Sequence, residues 1–357
     1  MKPLAYAAPI LLVLVLGGCQ KPKQETPEPK EAATVPVTQP QNPDLCQPLL
    51  QHMQAINANS RIEALEQVNQ RLSACLSQLP FKQQKQLLEA SHAMYQHFLK
   101  VERSPAQQEA FDQYAFNQSP HPTLQQSYID KFAPRDQYLL QHQGGAAYYE
   151  LYDSGEGMLN YRRQPRYLVE LFAPYLPVAE RTFIEHLAEQ NQQSPLRDGA
   201  LNISWDEIAQ RAQFWEDYIQ QYPDSSYHED AKLLLALYSA FLFKGANNTP
   251  ISDTYTGELS VRPDALTVIR QVSKQRNSEL AQQAKRFLEF VEMSPAQRNQ
   301  TITVQLTTPE RLSGQRNILT LRQLEKYLQL RDPYAGSKYN QYRDCLTDAV
   351  CISPAQE

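Results

Sequence analysis

The sequence predicts a mainly α-helical fold, made of antiparallel helical hairpins or an irregular helical bundle, with a small antiparallel β element. Three observations lead to this prediction. Apolar residues recur at helical spacing through most of the chain after residue 45. Glycine, which weakens helices, occurs only 11 times in 357 residues. Helix-start signals of the type Ser/Thr-x-x-Glu/Gln precede several of the apolar runs.

The first 18 residues have the layout of a secretory signal peptide. Lys2 gives a short basic start, and residues 10–16 form an apolar run that ends at Leu16-Gly17-Gly18-Cys19. The run is far shorter than the roughly 20 apolar residues that a membrane-spanning helix needs. The sequence therefore predicts a signal peptide and not a membrane helix.

The tetrapeptide that ends at Cys19 resembles the lipobox of bacterial lipoproteins. This resemblance implies that residues 1–18 are removed, that Cys19 is acylated, and that its acyl chains hold the protein in a lipid membrane. Gln20, in place of Asp, is similar to the outer-membrane class of lipoproteins. We therefore expect a lipid-anchored outer-membrane protein with a periplasmic domain; the alternative is an ordinary signal peptide followed by a chance cysteine.

Residues 19–44 are interpreted as the lipidated cysteine and a disordered, Pro-rich tether. They contain many Pro, Lys, Glu, Gln and Thr residues, but no aromatic or long aliphatic side chain. Such a composition buries too little apolar surface to offset the entropy of ordering the chain. Residues 45–357 are predicted to form the mainly helical domain, with a subdivision near 140–165 left open.

The formal net charge is −5, and Lys and Arg form no cluster. The chain therefore lacks the basic surface that binding of nucleic acid requires, and no nucleic-acid partner is expected.

The first helices of the domain are predicted from capping signals and apolar stripes. Ser60-Arg-Ile-Glu63 reads as a capping box that opens a helix, and a second helix is expected from about 81 to 101. Ser104-Pro105 predicts the next helix start, with a cap residue ahead of a first-turn proline. The same string, Ser-Pro-Ala-Gln, returns at 294–297 and 353–356, where it is interpreted as the same helix-start signal.

Two stretches favour β structure. Residues 147–152 and 158–161 are predicted to pair as a hairpin around a turn at 153–157. Residues 301–307 alternate apolar and polar side chains and are rich in β-branched residues, which predicts a strand. Between them, residues 165–192 are expected to form two short helices, broken at Pro174 and Pro177.

Residues 214–243 are predicted to form two antiparallel helices. Trp215, Tyr218 and Tyr222 lie on one stripe of the first helix, which Pro223 ends, and Ala231 lies early in the second. This segment resembles a helical hairpin of the tetratricopeptide type, and residues 277–285 weakly repeat residues 224–232. The polar segment 245–250 is interpreted as a connection between helices, with a ligand loop as the alternative.

Five cysteines occur, and acylation of Cys19 leaves an even number in an oxidising compartment. Cys46 and Cys75 lie at nearly equal distances from a turn at Asn59-Ser60, so an antiparallel helical hairpin brings them level. Cys345 and Cys351 can pair if the chain turns between them. We expect these two local disulfides, with a metal site as the weaker alternative.

Tyrosine and arginine crowd one region of the chain, and both residue types favour interfaces. The candidate interface residues are Tyr148, Tyr149, Tyr152, Tyr161, Arg162 and Arg163, together with Trp215 and Tyr218 of the helical hairpin. The alternative is that the aromatic side chains pack around the small sheet.

No common catalytic motif occurs, and the seven histidines are scattered. No catalytic residue, metal ligand or cofactor is therefore assigned. Two carboxylates from distant positions can still converge as in glycan-cleaving enzymes, and Glu150, Asp153 and Glu156 are the first to consider.

These observations favour a non-catalytic envelope lipoprotein that binds a periplasmic or outer-membrane protein through its helical domain. A hydrolase or binding protein directed at peptidoglycan or another glycan is the alternative. An inhibitor of a small protein, or a surface decoy, is a third hypothesis.

Overall fold

The computed structural model describes residues 46, 48–117, 125–153, 158–314, 317–333 and 343–353. Within these residues the fold is mainly α-helical with small two-stranded antiparallel sheets, so the predicted fold class is confirmed. The described residues belong to the unit Asn42–Glu357. The signal peptide, Cys19, the tether and the third Ser-Pro-Ala-Gln string, which begins at Ser353, lie wholly or mostly outside the described residues.

The described helices are, in chain order, α1 (Leu49–Ala55), α2 (Ile62–Cys75), α3 (Phe81–Phe98), α4 (Pro105–Asn117), α5 (Gln125–Ile129), α6 (Pro134–Gln141), α7 (Arg166–Leu171), α8 (Val178–Gln190), α9 (Trp205–Gln221), α10 (His228–Lys244), α11 (Pro263–Val272), α12 (Glu279–Glu292), α13 (Pro295–Thr301), α14 (Thr308–Leu312) and α15 (Ile318–Leu328). Within the described residues the strands pair as three hairpins: β1 (Tyr149–Asp153) with β2 (Leu159–Arg163), β3 (Leu196–Arg197) with β4 (Ala200–Leu201), and β5 (Gly245–Ala246) with β6 (Thr249–Pro250).

The hairpin of α1 and α2 brings Cys46 beside Cys75, as expected from their distances to the turn. Their Cα atoms are 5.6 Å apart and the two residues form a disulfide. Met53 of α1 and Leu65 of α2 are both buried in the same apolar core. The chain therefore reverses between residues 56 and 61, close to the predicted turn.

The capping box predicted at Ser60 is wrong. The Ser60 hydroxyl accepts the backbone N–H of Asn57 at 3.0 Å and closes the preceding turn, while α2 begins after Arg61 without a side-chain cap. The N–H of Ile62 instead donates to the Tyr138 hydroxyl of α6 at 2.7 Å. A tertiary contact thus replaces the local cap. A short stretch of sequence around Ser60 does not contain Tyr138 and could not predict this contact.

The helix starts predicted at the two described Ser-Pro-Ala-Gln strings are confirmed. In the second, Ser294 accepts the N–H of Gln297 while the Gln297 side chain accepts the N–H of Ser294, which completes a capping box. Ser104 and Gln107 exchange the same pair of hydrogen bonds. Pro105 and Pro295 occupy the first helical position, where the missing N–H costs nothing.

The predicted hairpin of residues 147–161 is present as β1 and β2. Tyr149 pairs with Arg163 and Asp153 with Leu159, so each strand begins and ends one or two residues later than predicted. The predicted turn residues 154–157 lie outside the described part of the chain. After β2, α7 and α8 are separated by a short 3-10 turn at Ala173–Tyr175, as the two prolines predicted.

Helices α9 and α10 form one hairpin, and α11 and α12 form the next. Helix α9 also packs against both helices of the second hairpin. The weak repeat between residues 224–232 and 277–285 has a structural counterpart. Ser225 donates to the buried Glu180 and Ser278 donates to the buried Glu216, in each case just before the second helix of a hairpin. Ala231 and Ala284 are fully buried at equivalent places, so two helices approach closely at each.

The strand predicted at residues 301–307 is wrong. Thr301 ends α13, and residues 302–307 form neither helix nor strand. Burial does alternate along these residues. The Ile302 side chain packs into the core, and the Ile302 carbonyl accepts a hydrogen bond from Gln323 of α15. The Thr303 carbonyl accepts from Lys326 at 2.6 Å. Side chains of α15, and not a neighbouring strand, therefore satisfy this segment.

One continuous apolar core extends from α1 to the C-terminal disulfide loop. A smaller apolar cluster lies beside β2 and contains Phe111, Tyr114 and Phe132. Among the described helices, none combines the length and the apolar character that crossing a membrane requires.

Candidate functional site

A cleft of about 700 Å³ lies between the end of α10, the β5–β6 hairpin and α15. Leu237 and Phe241 of α10 and Leu321 of α15 give it an apolar lining. Lys244, Arg322 and Glu325 contribute charged groups to the same cleft. The volume and the mixed lining are typical of binding sites for small molecules or peptide side chains.

The cleft exists because the chain turns back sharply after α10. Gly245 follows Lys244 with a φ of 79°, and a Cβ atom there would lie 2.2 Å from the Thr249 carbonyl oxygen. Only glycine fits this position without moving the backbone. Segment 245–250 is therefore a tight hairpin that forms one edge of the cleft, and not only a connection between helices.

The β5–β6 hairpin is held by its neighbour, the β3–β4 hairpin. The N–H of Asn248 donates to the Gly199 carbonyl at 2.9 Å, and the N–H of Leu201 donates to the Thr249 hydroxyl at 3.1 Å. Hydrogen bonds between the two hairpins thus hold β5 and β6 in place at the edge of the cleft.

The charged groups of the cleft pair with one another. Glu325 accepts from Lys244 Nζ at 2.7 Å and from Arg322 at 2.6 Å. Arg322 also binds Glu310 at 2.5 Å. Hydrogen bonds from the backbone and hydroxyl of Thr307, together with Arg322, lower the pKa of Glu310 to about 2. The Glu310 carboxylate therefore stays ionised at neutral pH, and it pairs with Arg322 beside the Lys244–Glu325 ion pair.

Three residues predicted to lie at an interface are core residues instead. Trp215, Tyr218 and Tyr149 are at most 2% exposed. Each uses its polar atom inside the protein: Trp215 Nε1 donates to Gln190 at 3.0 Å, and the Tyr218 and Tyr149 hydroxyls donate to backbone carbonyls. A buried aromatic side chain with a satisfied polar atom contributes to packing, which corrects the surface role expected for these three.

The two arginines of β2 bind the C-terminal disulfide loop. Arg163 is buried and donates to the Asp348 carboxylate at 2.8 Å and to the Ser91 hydroxyl at 2.6 Å. Arg162 donates to the Glu150 carboxylate at 2.7 Å and to the Thr347 carbonyl at 2.9 Å. The predicted surface role of Arg163 is therefore wrong, and Arg162 is only partly exposed.

The remaining tyrosines of the predicted interface are half-buried. The Tyr152 ring lies 3.8 Å from the guanidinium of Arg162, and the Tyr161 hydroxyl donates to the Asp136 carbonyl. Tyr148 lines a second cleft and donates to Glu170 at 2.8 Å. Burial and this bond to Glu170 raise the pKa of Tyr148 to about 12, so its hydroxyl remains a donor.

Both local disulfides expected from the sequence are present. Cys345 and Cys351 are bonded with Cα atoms 4.0 Å apart, because Asp344 and Ile352 exchange two backbone hydrogen bonds that close the loop. Asn191, at the end of α8, donates to the carbonyls of Cys345 and Asp348. Cys19 lies outside the described residues, so its predicted acylation stays a prediction.

The carboxylates considered for glycan cleavage form ion pairs with arginines. Glu150 binds Arg162, and Asp153 binds Arg197, each at 2.7 Å. Glu156 lies outside the described residues. In the described ranges, no three His, Cys, Asp or Glu residues are grouped as metal ligands.

No protein-family profile, curated protein or solved structure matches the chain.

The residues of the α10–α15 cleft are ones that the sequence did not single out, apart from segment 245–250. Lys244 and Glu325 are 81 positions apart, and each looks like an ordinary charged residue on a helix surface. The one local signal was the glycine after α10, which marks a turn but not the element that faces it.

Proposed function

We propose that the protein is a lipid-anchored component of the bacterial envelope whose helical domain binds a partner protein without catalysing a reaction. The observation that carries this proposal is the α10–α15 cleft, where an apolar lining lies beside charged groups that already pair with each other. The lipobox-like residues that end at Cys19 support the envelope location.

The lining favours a protein segment as the occupant. The two cations Lys244 and Arg322 pair with the two carboxylates Glu325 and Glu310, so these four charges cancel and none of them is left to bind an ion. Ala240, Ile318 and Leu321 line the cleft and are only partly buried, so an apolar side chain that covers them would be stabilised. We therefore propose that an extended segment of the partner inserts one or two apolar side chains here.

The hydrolase alternative has less support at the β1–β2 hairpin. Cleavage of a glycan needs one carboxyl group that gives up a proton and a second that acts as base or nucleophile. Glu150 and Asp153 are each occupied by an arginine of this chain. A catalytic role for either residue would require that its ion pair be broken first.

Site-specific photo-crosslinking in cells tests the cleft. A photoreactive amino acid at Asn247, an exposed residue of the cleft, should give one discrete adduct. The same amino acid at Gln275, which is exposed on the loop after α11, serves as the matched control. Ala240→Trp places a large side chain in the cleft and should abolish the adduct at Asn247.

The proposal fails if Asn247 and Gln275 give the same adducts, or if the Asn247 adduct persists in an Ala240→Trp protein that melts like the unmodified one. The anchor has its own test, because Cys19→Ser removes the acylated thiol. This variant should leave the membrane fraction, and its retention there would contradict the lipoprotein assignment.

A further inference from the structure

A second cleft, of about 490 Å³, lies between α2 and the segment that joins α6 to α7. Five side chains of α2 form its polar wall: Glu63, Glu66, Gln67, Gln70 and Ser73. Their spacing places them on one face of the helix. Neither glutamate forms an ion pair or hydrogen bond within the described residues, in contrast to the compensated charges of the α10–α15 cleft.

The opposite wall is largely apolar. It consists of Ala146, Tyr148 and Leu171. Tyr148 has a left-handed backbone conformation, with φ 51° and ψ 40°, which a residue with a side chain rarely adopts. Its hydroxyl is fixed by Glu170, and the Arg166 guanidinium lies 5.2 Å from the centre of its ring. The ring is therefore held in place at a cost in backbone strain, an arrangement that is concentrated at functional sites.

Asn69 lines the same cleft and is 2% exposed. Its amide nitrogen donates to the Tyr95 hydroxyl at 3.0 Å and to the Ala146 carbonyl at 2.9 Å. Its side-chain oxygen, Oδ1, has no hydrogen-bond partner within the described residues. A buried acceptor left without a donor costs about 1–3 kcal/mol, so this position favours a ligand that brings a hydroxyl or N–H group.

We propose that this cleft binds a neutral saccharide. A sugar ring has one edge of hydroxyl groups and one face of C–H groups, and the cleft has one polar wall and one apolar wall to match them. The carboxylates and amides of α2 accept and donate hydrogen bonds to vicinal hydroxyls, while the Tyr148 ring packs against the C–H face. Asn69, whose Oδ1 atom lacks a partner within the described residues, lies among these lining residues.

The charge of the cleft narrows the class of sugar. Glu63 and Glu66 repel an anionic saccharide, because no cation of the described residues binds either carboxylate. A basic peptide would pair with these carboxylates through its charge, whereas vicinal sugar hydroxyls would use the carboxylates and the amides of Gln67 and Gln70 together. The structure therefore favours a neutral, hydroxyl-rich ligand, and this inference does not depend on the α10–α15 cleft.

The test measures saccharide binding to the full-length protein in detergent. Neutral trisaccharides of glucose, galactose and N-acetylglucosamine serve as probes, and trilysine serves as the cationic comparison. Saturation-transfer NMR and calorimetry should detect at least one trisaccharide. Gln70→Ala should weaken its binding about five- to tenfold, the effect of one lost hydrogen bond.

Gln86→Ala is the matched control, because Gln86 is exposed on α3 and does not line the cleft. It should leave saccharide binding unchanged, and so should Ala240→Trp in the other cleft, which separates this inference from the proposed function. Failure of all three trisaccharides, or equal losses in Gln70→Ala and Gln86→Ala, would overturn the inference. Binding of trilysine alone, reduced by Glu66→Gln, would assign the cleft to a basic peptide instead.

Discussion

The two regions of the molecule that disulfides close are held in place by different forces. Cys46–Cys75 joins α1 to α2, whose facing side chains, such as Met53 and Leu65, are apolar. Cys345–Cys351 closes a short loop that carries Asp348, and the buried Arg163 binds that carboxylate from 185 positions away. Apolar packing between neighbouring segments stabilises the first region, and buried polar contacts with distant segments stabilise the second.

This difference determines how each region responds to change. When an apolar side chain is removed, its neighbours lose a contact and a cavity remains, but no polar or charged group is left unpaired. A buried ion pair leaves an uncompensated charge when one partner is removed. We therefore expect substitutions in the C-terminal loop to cost more than the number of atoms removed would indicate.

Asp348→Ala should have the strongest effect on stability. It leaves the Arg163 guanidinium buried without its carboxylate, which costs about 3–5 kcal/mol in the free energy of unfolding. Urea denaturation measures this loss. The double variant Arg163→Leu, Asp348→Leu should lose less than Asp348→Ala alone, because it removes both charges. A double variant that is less stable than Asp348→Ala would show that the charge is not the cause.

The Cys46→Ser, Cys75→Ser variant should lose about 3–4 kcal/mol. The disulfide spans 29 positions, and opening a loop of this length releases that much conformational entropy in the unfolded chain. The helix content in circular dichroism should not change, since the apolar faces of α1 and α2 remain. Loss of helical signal on substitution would mean that the bond, and not apolar packing, holds the hairpin.

His92 should make the Arg163–Asp348 region sensitive to acid. Burial, and then the charge of Arg163, lowers the pKa of His92 to about 4, against an opposing effect of Asp348. Because the unfolded chain takes up this proton near pH 6.5, stability falls as the pH drops from about 6.5 to 4, by at most about 3 kcal/mol.

His92→Gln provides the comparison for this effect. Burial raises the pKa of Asp230 to about 6, so Asp230 contributes an opposite trend over the same pH range. The difference in unfolding free energy between the two proteins cancels that contribution. The unmodified protein should lose stability relative to His92→Gln as the pH falls to 4, and a difference that does not vary with pH would refute the assignment.

Cys345→Ser, Cys351→Ser should cost least, about 2 kcal/mol, because the disulfide spans only six positions. The polar contacts of Arg163 and Asn191 hold the same loop without the bond. A much greater loss, near that of Asp348→Ala, would show that the disulfide is what keeps Asp348 beside Arg163. Guanidinium denaturation of both variants in parallel settles which contact holds the loop.

Local patterns in the sequence were sufficient to predict most helices. The capping box at Ser294 and the apolar stripe of α9 each depend on residues within a few positions of one another. The same reasoning paired Cys46 with Cys75, since two helices and one turn bring them level. It did not single out α11, although Pro263 at its start and its buried Leu266 and Ile269 carry the usual signals.

Where local patterns misled, a distant partner had replaced a local one. Ser60 does not cap α2, because Tyr138 takes the free N–H of Ile62. Alternating burial in residues 302–307 comes from packing against α15 and not from a second strand. Trp215 and Tyr149 look like interface residues in the sequence, yet each finds a buried acceptor in the fold.

The sequence by itself determined the apolar side of the helices that it predicted, where several of them begin, and which cysteines lie near each other. Only the tertiary structure decided which side chains share a cleft and which charges compensate each other. The physical reason is that the spacing of apolar residues indicates whether a side chain is buried, and that spacing is a property of a single helix or strand. The partner that a buried side chain meets depends on how elements as far apart as Arg163 and Asp348 come together.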